Sequence, residues 1–341
     1  MADDSGTGPI GSATARGLTV KDLAKQILPE SVWRGLWRMK NAIATPVRVQ
    51  RFMDAAGYNV AEKADYYSPM SSVPELRASV GRWFKPSALV GVSYDLERMK
   101  QELSGLLSGY LDEFMTLPSY EELRRIGYGP GYTAVDAFTL YSMIRHLKPR
   151  RYLEVGSGLS TYYCSLAATR NEREGHPVTI TCIEPYPYAK LTSLPGIEAI
   201  VKPVQDVDLS VFEQIQPGDV LFIDSSHVLK IDGDVPYLYL EALPRVNVGV
   251  TVQIHDVPFP YNVPYPPSLW VFGRAWPMLW NEAMVAQAFL CGNRDFEIIL
   301  STPLIRHFDE AFLSSRIPFY ESVEQNPNTF SSLWLRRVSR R

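Results

Sequence analysis

Two histidines and two aspartates stand out by type and spacing: Asp224 and His227 in FIDSSH, and His255 with Asp256 in QIHD. A histidine has an ordinary pKa near 6.5, so it can take a hydroxyl proton at neutral pH as a general base. The plain alternative is that Asp224 caps a following helix and His227 is a satisfied loop residue. The second His/Asp pair tips the balance toward a working cluster. A further set lies upstream in RRYLEVGSGLSTYYC, where Glu154 is followed by Gly156, Ser157 and Gly158. Glycines there let the backbone approach a ligand closely, because no Cβ intervenes.

The elements that must position these residues are legible as a change of pattern near Arg151. RYLEV (151–155), VTITCIE (178–184), IEAIVKP (197–203), DVLFID (219–224) and GVTVQIHD (249–256) read as five short apolar strands. Helical segments near 160–170, 208–216 and 233–244 alternate with them, the signature of a parallel sheet covered on both faces. In such sheets a ligand sits beyond the carboxyl ends of the strands. Glu154, Asp224, His255 and Asp256 all fall at or near such ends. WNEAMVAQAFLCG (280–292) continues as a helix, and FEIILS (296–301) and SSLWLRRV (331–338) as two more strands. Upstream, DLERMKQELSGLLSGYLDEFM (95–115) and YTAVDAFTLYSMIRHL (132–147) have helical period.

The glycines do not hold a P-loop phosphate, since no Gly-Lys-Ser/Thr follows. The dinucleotide pattern G-x-G-x-x-G fails at Thr161, which disfavours a nicotinamide oxidoreductase. An acid at Glu154 suits a cationic group such as the amino end of a methionine moiety. Glu184, ending the second strand, can accept both ribose hydroxyls of an adenosine compound. Gln205 and Asp206, after the third strand, are placed to meet the adenine edge.

Residues 120–301 resemble a class I S-adenosylmethionine-dependent methyltransferase. They are similar to the bacterial small-molecule group that contains macrolide-sugar O-methyltransferases. The resemblance rests on EVGSG, CIEP, FIDSSH and IHD at successive strand ends; residues 1–119 carry no matching site. It implies a Rossmann-like α/β fold with a seven-stranded sheet whose last strand is antiparallel. It implies cofactor contacts from Glu154, Gly156, Ser157, Gly158, Thr161, Glu184, Gln205, Asp206 and Asp224. A divalent metal would be held by Asp224, His255 and Asp256, with His227 as the base. A carboxylate is more usual in the group at the position of His255. Imidazole is a poor magnesium ligand and a good one for manganese or iron, so magnesium, manganese and iron all stay open. The expected reaction is O-methylation of a hydroxyl on a small natural product or sugar. C- or N-methylation and a non-catalytic adenosine- or carbohydrate-binding role are the alternatives.

The whole chain agrees with a small-molecule acceptor. At 341 residues with a net charge of −3 it lacks the basic excess of a nucleic-acid binder. Its cysteines, Cys164, Cys182 and Cys291, are unclustered, which suits a reducing cytoplasm. No run reaches the roughly 18–20 apolar residues of an integral membrane span. The expected organisation is a disordered tail over 1–17, a mainly helical N-terminal segment over 18–119, and the methyltransferase domain over 120–341. The basic helix around Trp33, Leu36 and Trp37 would dock on its own chain or on a partner copy, giving a homo-oligomer, in preference to a membrane surface. The proline-stiffened stretch 257–282 would form the acceptor wall, with Tyr261, Tyr265 and Trp276 as ring-facing candidates.

Overall fold

The computed structural model describes residues 29–32, 34, 45–61, 66–128, 131–188, 190–191, 194–327 and 330–339. Residues 1–17, Trp33, Leu36 and Trp37 therefore lie outside the described residues. The chain divides into two compact units, Met1–Met70 and Ser71–Arg341. The first contains a helix over Thr45–Ala55. The second contains the sheet, and with it the helix α1 over Leu96–Phe114.

The sheet has seven strands: β1 Arg151–Val155, β2 Thr179–Ile183, β3 Ile197–Ile200, β4 Val220–Ile223, β5 Thr251–Ile254, β6 Phe296–Ser301 and β7 Leu333–Arg337. Their order is β3-β2-β1-β4-β5-β7-β6, a Rossmann-like α/β arrangement. β7 runs antiparallel to both β5 and β6. All four residues of β4 and of β5 are buried, as expected for strands covered on both faces.

Register explains why the candidate residues meet. Val155 pairs with Ile183 and with Ile223, and Ile223 pairs with Ile254. Gly156, Glu184, Asp224 and His255 each follow one of these residues, so they emerge along one edge. Their backbone amides keep the ladder going one step further: Gly156 N–H donates to Ile183, Asp224 N–H to Val155 and His255 N–H to Ile223, each at 2.9 Å.

On one face, α1 packs with α2 (Ala134–Leu147) and α3 (Leu159–Arg173). Asp95 caps α1 through the Arg98 amide, and its apolar stripe Met99, Leu103, Leu106, Leu107 and Phe114 is buried. Arg145 of α2 ties the three helices together, pairing with Glu113 at 2.6 Å and with Glu174 at 2.5 Å.

Two stretches depart from the sequence reading. The segment around 233–244 changes pitch: an α turn Asp234–Tyr237, a π turn Leu238–Ala242, then a 3₁₀ turn Leu243–Arg245. Pro244 has no N–H to continue an α ladder. Between β6 and β7 lies a helix that the pattern did not reveal, over Thr302–Arg316. It breaks at Asp309, whose side chain accepts from the Phe312 amide and from Lys100. That break interrupts the apolar period. Ser301 as N-cap with Pro303 in the first turn is the start signal that could have found it. With Glu282–Leu290 as α4, this helix is α5.

Candidate functional site

The tip of β1 passes so close to the tip of β4 that only glycine fits between them. Gly156 has φ +101°, and a Cβ there would lie 2.7 Å from the carbonyl oxygen of Asp224. Gly156→Ala should therefore destabilise the fold by about 1–3 kcal/mol, through left-handed backbone and a clash with main chain. Thermal unfolding reads this, and an unchanged midpoint would show that the loop relaxes freely. At Gly158 a Cβ would meet only the Tyr128 carbonyl, at 3.6 Å. Its φ of +158° is one that side chains rarely adopt, so Gly158→Val adds backbone strain to whatever it costs a ligand.

Glu154 and Thr161, expected to contact the cofactor, are bonded to each other beneath the glycine loop. Both are fully buried. The Glu154 carboxylate accepts from Ser160 Oγ at 2.5 Å and from Thr161 Oγ1 at 2.9 Å, and the Gly158 amide donates to Thr161 Oγ1 at 3.1 Å. Burial pushes the Glu154 pKa up to about 8, against the pull of those hydroxyls. The acid thus braces the glycine loop from beneath. The strand pleat turns it inward, whereas the loop glycines carry backbone outward.

Beyond the strand tips lies a cavity of about 430 Å³ lined by Gly156, Glu184, Tyr186, Gln205, Asp224 and Lys230, among others. Glu184 accepts from the Tyr186 amide at 2.8 Å and from Ser157 Oγ at 3.4 Å, which holds its carboxylate at the rim of the glycine loop. Gln205 donates through Nε2 to the Asp232 carbonyl at 3.2 Å. Asp206 does not join them: it is exposed, at the end of the short turn Val204–Asp206.

Asp224 also belongs to a second constellation. His227 Nε2 lies 3.2 Å from Asp224 and 3.3 Å from Asp256, while its Nδ1 lies 2.7 Å from Glu282. His227 and Asp256 both adopt left-handed backbone, with φ +60° and +57°. Such conformations in non-glycine residues concentrate at functional sites. The loop carrying His227 is pinned to the start of α4, where the Asn281 and Glu282 amides donate to the His227 carbonyl. Burial alone would strip the His227 ring of its proton. Hydrogen bonds to Asp224 and Glu282, with Asp256 beside them, outweigh burial and raise its pKa to about 10. Burial likewise pushes the Asp224 carboxyl up, and His255 and His227 reverse this and hold it well below the ordinary range.

The set that could hold a metal is not the one expected. Asp224, His227 and Asp256 each offer a ligand atom within 4.8 Å of the others. His255 instead turns its Nδ1 toward Asp224 at 3.3 Å and its Nε2 toward Asp136, 3.6 Å away. Following β5 into the core leaves it 1% exposed against the Tyr132 ring. Two further acids complete the cluster: Asp136, which the sequence did not single out, and Glu282, which reads there only as a first-turn acid of a helix. Asp136, in the first turn of α2, accepts from Thr133, from the Ser331 and Ser332 amides and from Ser332 Oγ. Glu282 is 1% exposed and also accepts from Ser225 Oγ at 2.8 Å. Ser331 Oγ donates to Asp256 at 2.7 Å. An acid in a first helical turn reads as ordinary dipole chemistry, so nothing marked either one.

Of the ring candidates in 257–282, Tyr261 and Tyr265 lie together, centroids 4.6 Å apart, against Phe84. Trp276 is 71% exposed.

Residues 153–257 match the family described as "Methyltransferase domain". The chain is 30% identical over 165 residues to an uncharacterized protein of Archaeoglobus fulgidus, spanning 44% of this chain and 72% of that one. Among solved structures, the O-methyltransferase TomG of Streptomyces achromogenes, in complex with SAM, is 16% identical. That likeness covers 73% of this chain and 92% of TomG, with a TM-score of 0.38. An O-methyltransferase from Bacillus cereus in complex with SAH is 12% identical, with 79% and 100% covered and a TM-score of 0.36. The fold described above rests on the sheet topology itself.

Proposed function

We propose that the chain is a class I S-adenosylmethionine-dependent methyltransferase that methylates a hydroxyl oxygen of a small-molecule acceptor. One observation carries this reading: Asp224 lines the cavity beyond the strand tips and also stands 3.2 Å from His227. A donor in that cavity and a hydroxyl at the histidine would meet at this residue.

The sulfonium cofactor supplies an activated methyl carbon, so holding donor and acceptor in line is the largest task, worth roughly 7–11 kcal/mol. Glu184 and the loop Gly156–Gly158 are the groups proposed to seat its ribose and methionine ends. His227 is the proposed base. Its Nδ1 faces Glu282, which would orient the imidazole so that Nε2, between Asp224 and Asp256, is turned toward the acceptor, the logic of a base oriented by a third group. Proton acceptance at Nε2 is worth about 10²–10⁴-fold.

The donor set also fits a divalent cation. Two carboxylates and an imidazole converge, with a ligand atom of each within 4.8 Å of the others. Asp224 and Asp256 would hold such an ion, which would acidify an acceptor hydroxyl; were His227 to join them, its imidazole would favour manganese or iron over magnesium. Neutralising those acids also lowers the His227 pKa toward the range where it accepts protons. A cation and a proton cannot share Nε2, so His227 is the base only where the acids alone bind the metal.

Among the described residues no helix is long and apolar enough to cross a membrane. The free cysteines Cys164, Cys182 and Cys291 fit the proposed reducing cytoplasm.

Calorimetry tests the cofactor assignment. Glu184→Ala should weaken S-adenosylhomocysteine binding about 10–100-fold, the worth of hydrogen bonds to a charged group. Tighter binding of NAD than of S-adenosylhomocysteine by the wild type would end the reading. Transfer of labelled methyl to carbon or nitrogen, with hydroxyl acceptors inert, would overturn the O-methyl assignment.

A further inference from the structure

Arg306, in the first half of α5, is a buried cation that the fold leaves unmet. It is 9% exposed, and among the described residues its guanidinium makes no ion pair or hydrogen bond, with Nη1 wholly buried. Guanidinium stays ionised under all ordinary conditions, so a buried one without a carboxylate is costly. What surrounds it is flat: its Cζ lies 5.0 Å from the Tyr265 ring centre and 4.7 Å from that of Phe330. Ring faces attract the charge but leave the guanidinium edge, with its forked donors, free for a planar partner.

That partner has room. Arg306 lines a cavity of about 180 Å³ with Tyr261, Tyr265, His307 and Glu310. Two short stretches of chain lead from around Arg306 to the reaction cluster. Phe330 precedes Ser331, which donates to Asp256, and Tyr261 follows Asp256 by five residues. Glu310 stands exposed at the rim, where it accepts from the Tyr320 hydroxyl. A second negative group at the rim disfavours a dianionic phosphate and tolerates a monoanion.

We propose that Arg306 is a specificity-determining residue that receives a carboxylate on the acceptor, with the acceptor's ring or chain lying along Tyr261 and Tyr265. The methylated compound is then a hydroxy acid, such as a hydroxylated aromatic acid or a uronic-acid sugar. This rests on the cluster around His227 being the methyl-transfer site.

Equilibrium binding with S-adenosylhomocysteine present tests it, using benzoate and glucuronate as probes. Benzamide and glucose serve as their neutral counterparts, and inorganic phosphate as the dianion. The wild type should bind at least one carboxylate about tenfold or more tightly than its neutral counterpart and than phosphate. Arg306→Gln should abolish that preference and Arg306→Lys should retain part of it, both with unchanged S-adenosylhomocysteine affinity. Equal affinity for the acid and neutral members of both pairs would overturn the proposal without any variant, and so would a preference for phosphate. A carboxylate preference that survives in Arg306→Gln would overturn it too. Should S-adenosylhomocysteine itself fail to bind, the methyltransfer reading falls, while an Arg306-dependent carboxylate preference would still stand on its own.

Discussion

Asp256→Ala should remove nearly all turnover, about 10³-fold or more, while the fold and S-adenosylhomocysteine binding persist. The size follows from what this side chain touches. It lies 3.3 Å from His227 Nε2 and 3.7 Å from His255 Nδ1, and it accepts from Ser331 Oγ. Its loss takes away one of the two acids proposed to bind a cation, and a cation set against a developing alkoxide is worth about 10²–10³-fold. Cofactor binding should persist because Asp256 does not line the cavity behind the glycine loop. The measurements are turnover and manganese titration, with and without chelator. Full wild-type activity in chelator would reject the metal. Wild-type turnover in Asp256→Ala would reject the cluster as the reacting site.

His227→Ala should lose roughly 10²–10⁴-fold in rate and keep its cofactor affinity. The loss should partly recover at high pH, as the acceptor ionises unaided. A second signature separates base from bystander. The His227 pKa in the folded, metal-free chain is raised to about 10 by Asp224, Glu282 and Asp256, which outweigh burial. A raised pKa means that the charged ring stabilises the fold fully below the unfolded value near 6.5. That contribution is lost progressively as pH climbs from there through about 10. In chelator, the wild-type unfolding midpoint should therefore fall between pH 7 and 10 more steeply than that of His227→Ala. Parallel curves would show that the ring carries no such proton. An unchanged pH–rate profile in the variant would reject the base.

The strand ends could be read from residue order because each is a short apolar run closed by a polar residue, and register then aligned them. This is why Gly156, Glu184, Asp224 and His255 were legible as neighbours in a one-dimensional string. The antiparallel strand over 333–337 was legible only through family resemblance, since alternation in LWLRR says nothing of direction. Side-chain facing was not legible at all. Glu154 sits one residue before a strand end and turns under the loop, and His255 turns into the core where His227 turns outward to the acids. Asp136 is harder still: it meets Ser331 across 195 positions of chain. No local pattern encodes such a contact.

The place of β7 between β5 and β6 has a consequence for how the protein is made. Synthesis is vectorial, and β5 is complete roughly 80 residues before β7 emerges, about 4–16 s at ordinary elongation rates. For that interval β5, and later β6, presents an unpaired edge of the kind that templates aggregation. Phe330, Ser331 and Ser332 arrive with the same strand, so until then Arg306 lacks one of its two ring faces and Asp136 and Asp256 lack their serine partners. On the proposed function, the glycine loop is made before the residues that would hold an acceptor. A chain cut short before Phe330 would lack the second ring face of Arg306 and the serine partners of Asp136 and Asp256, and would leave β5 and β6 with adhesive edges.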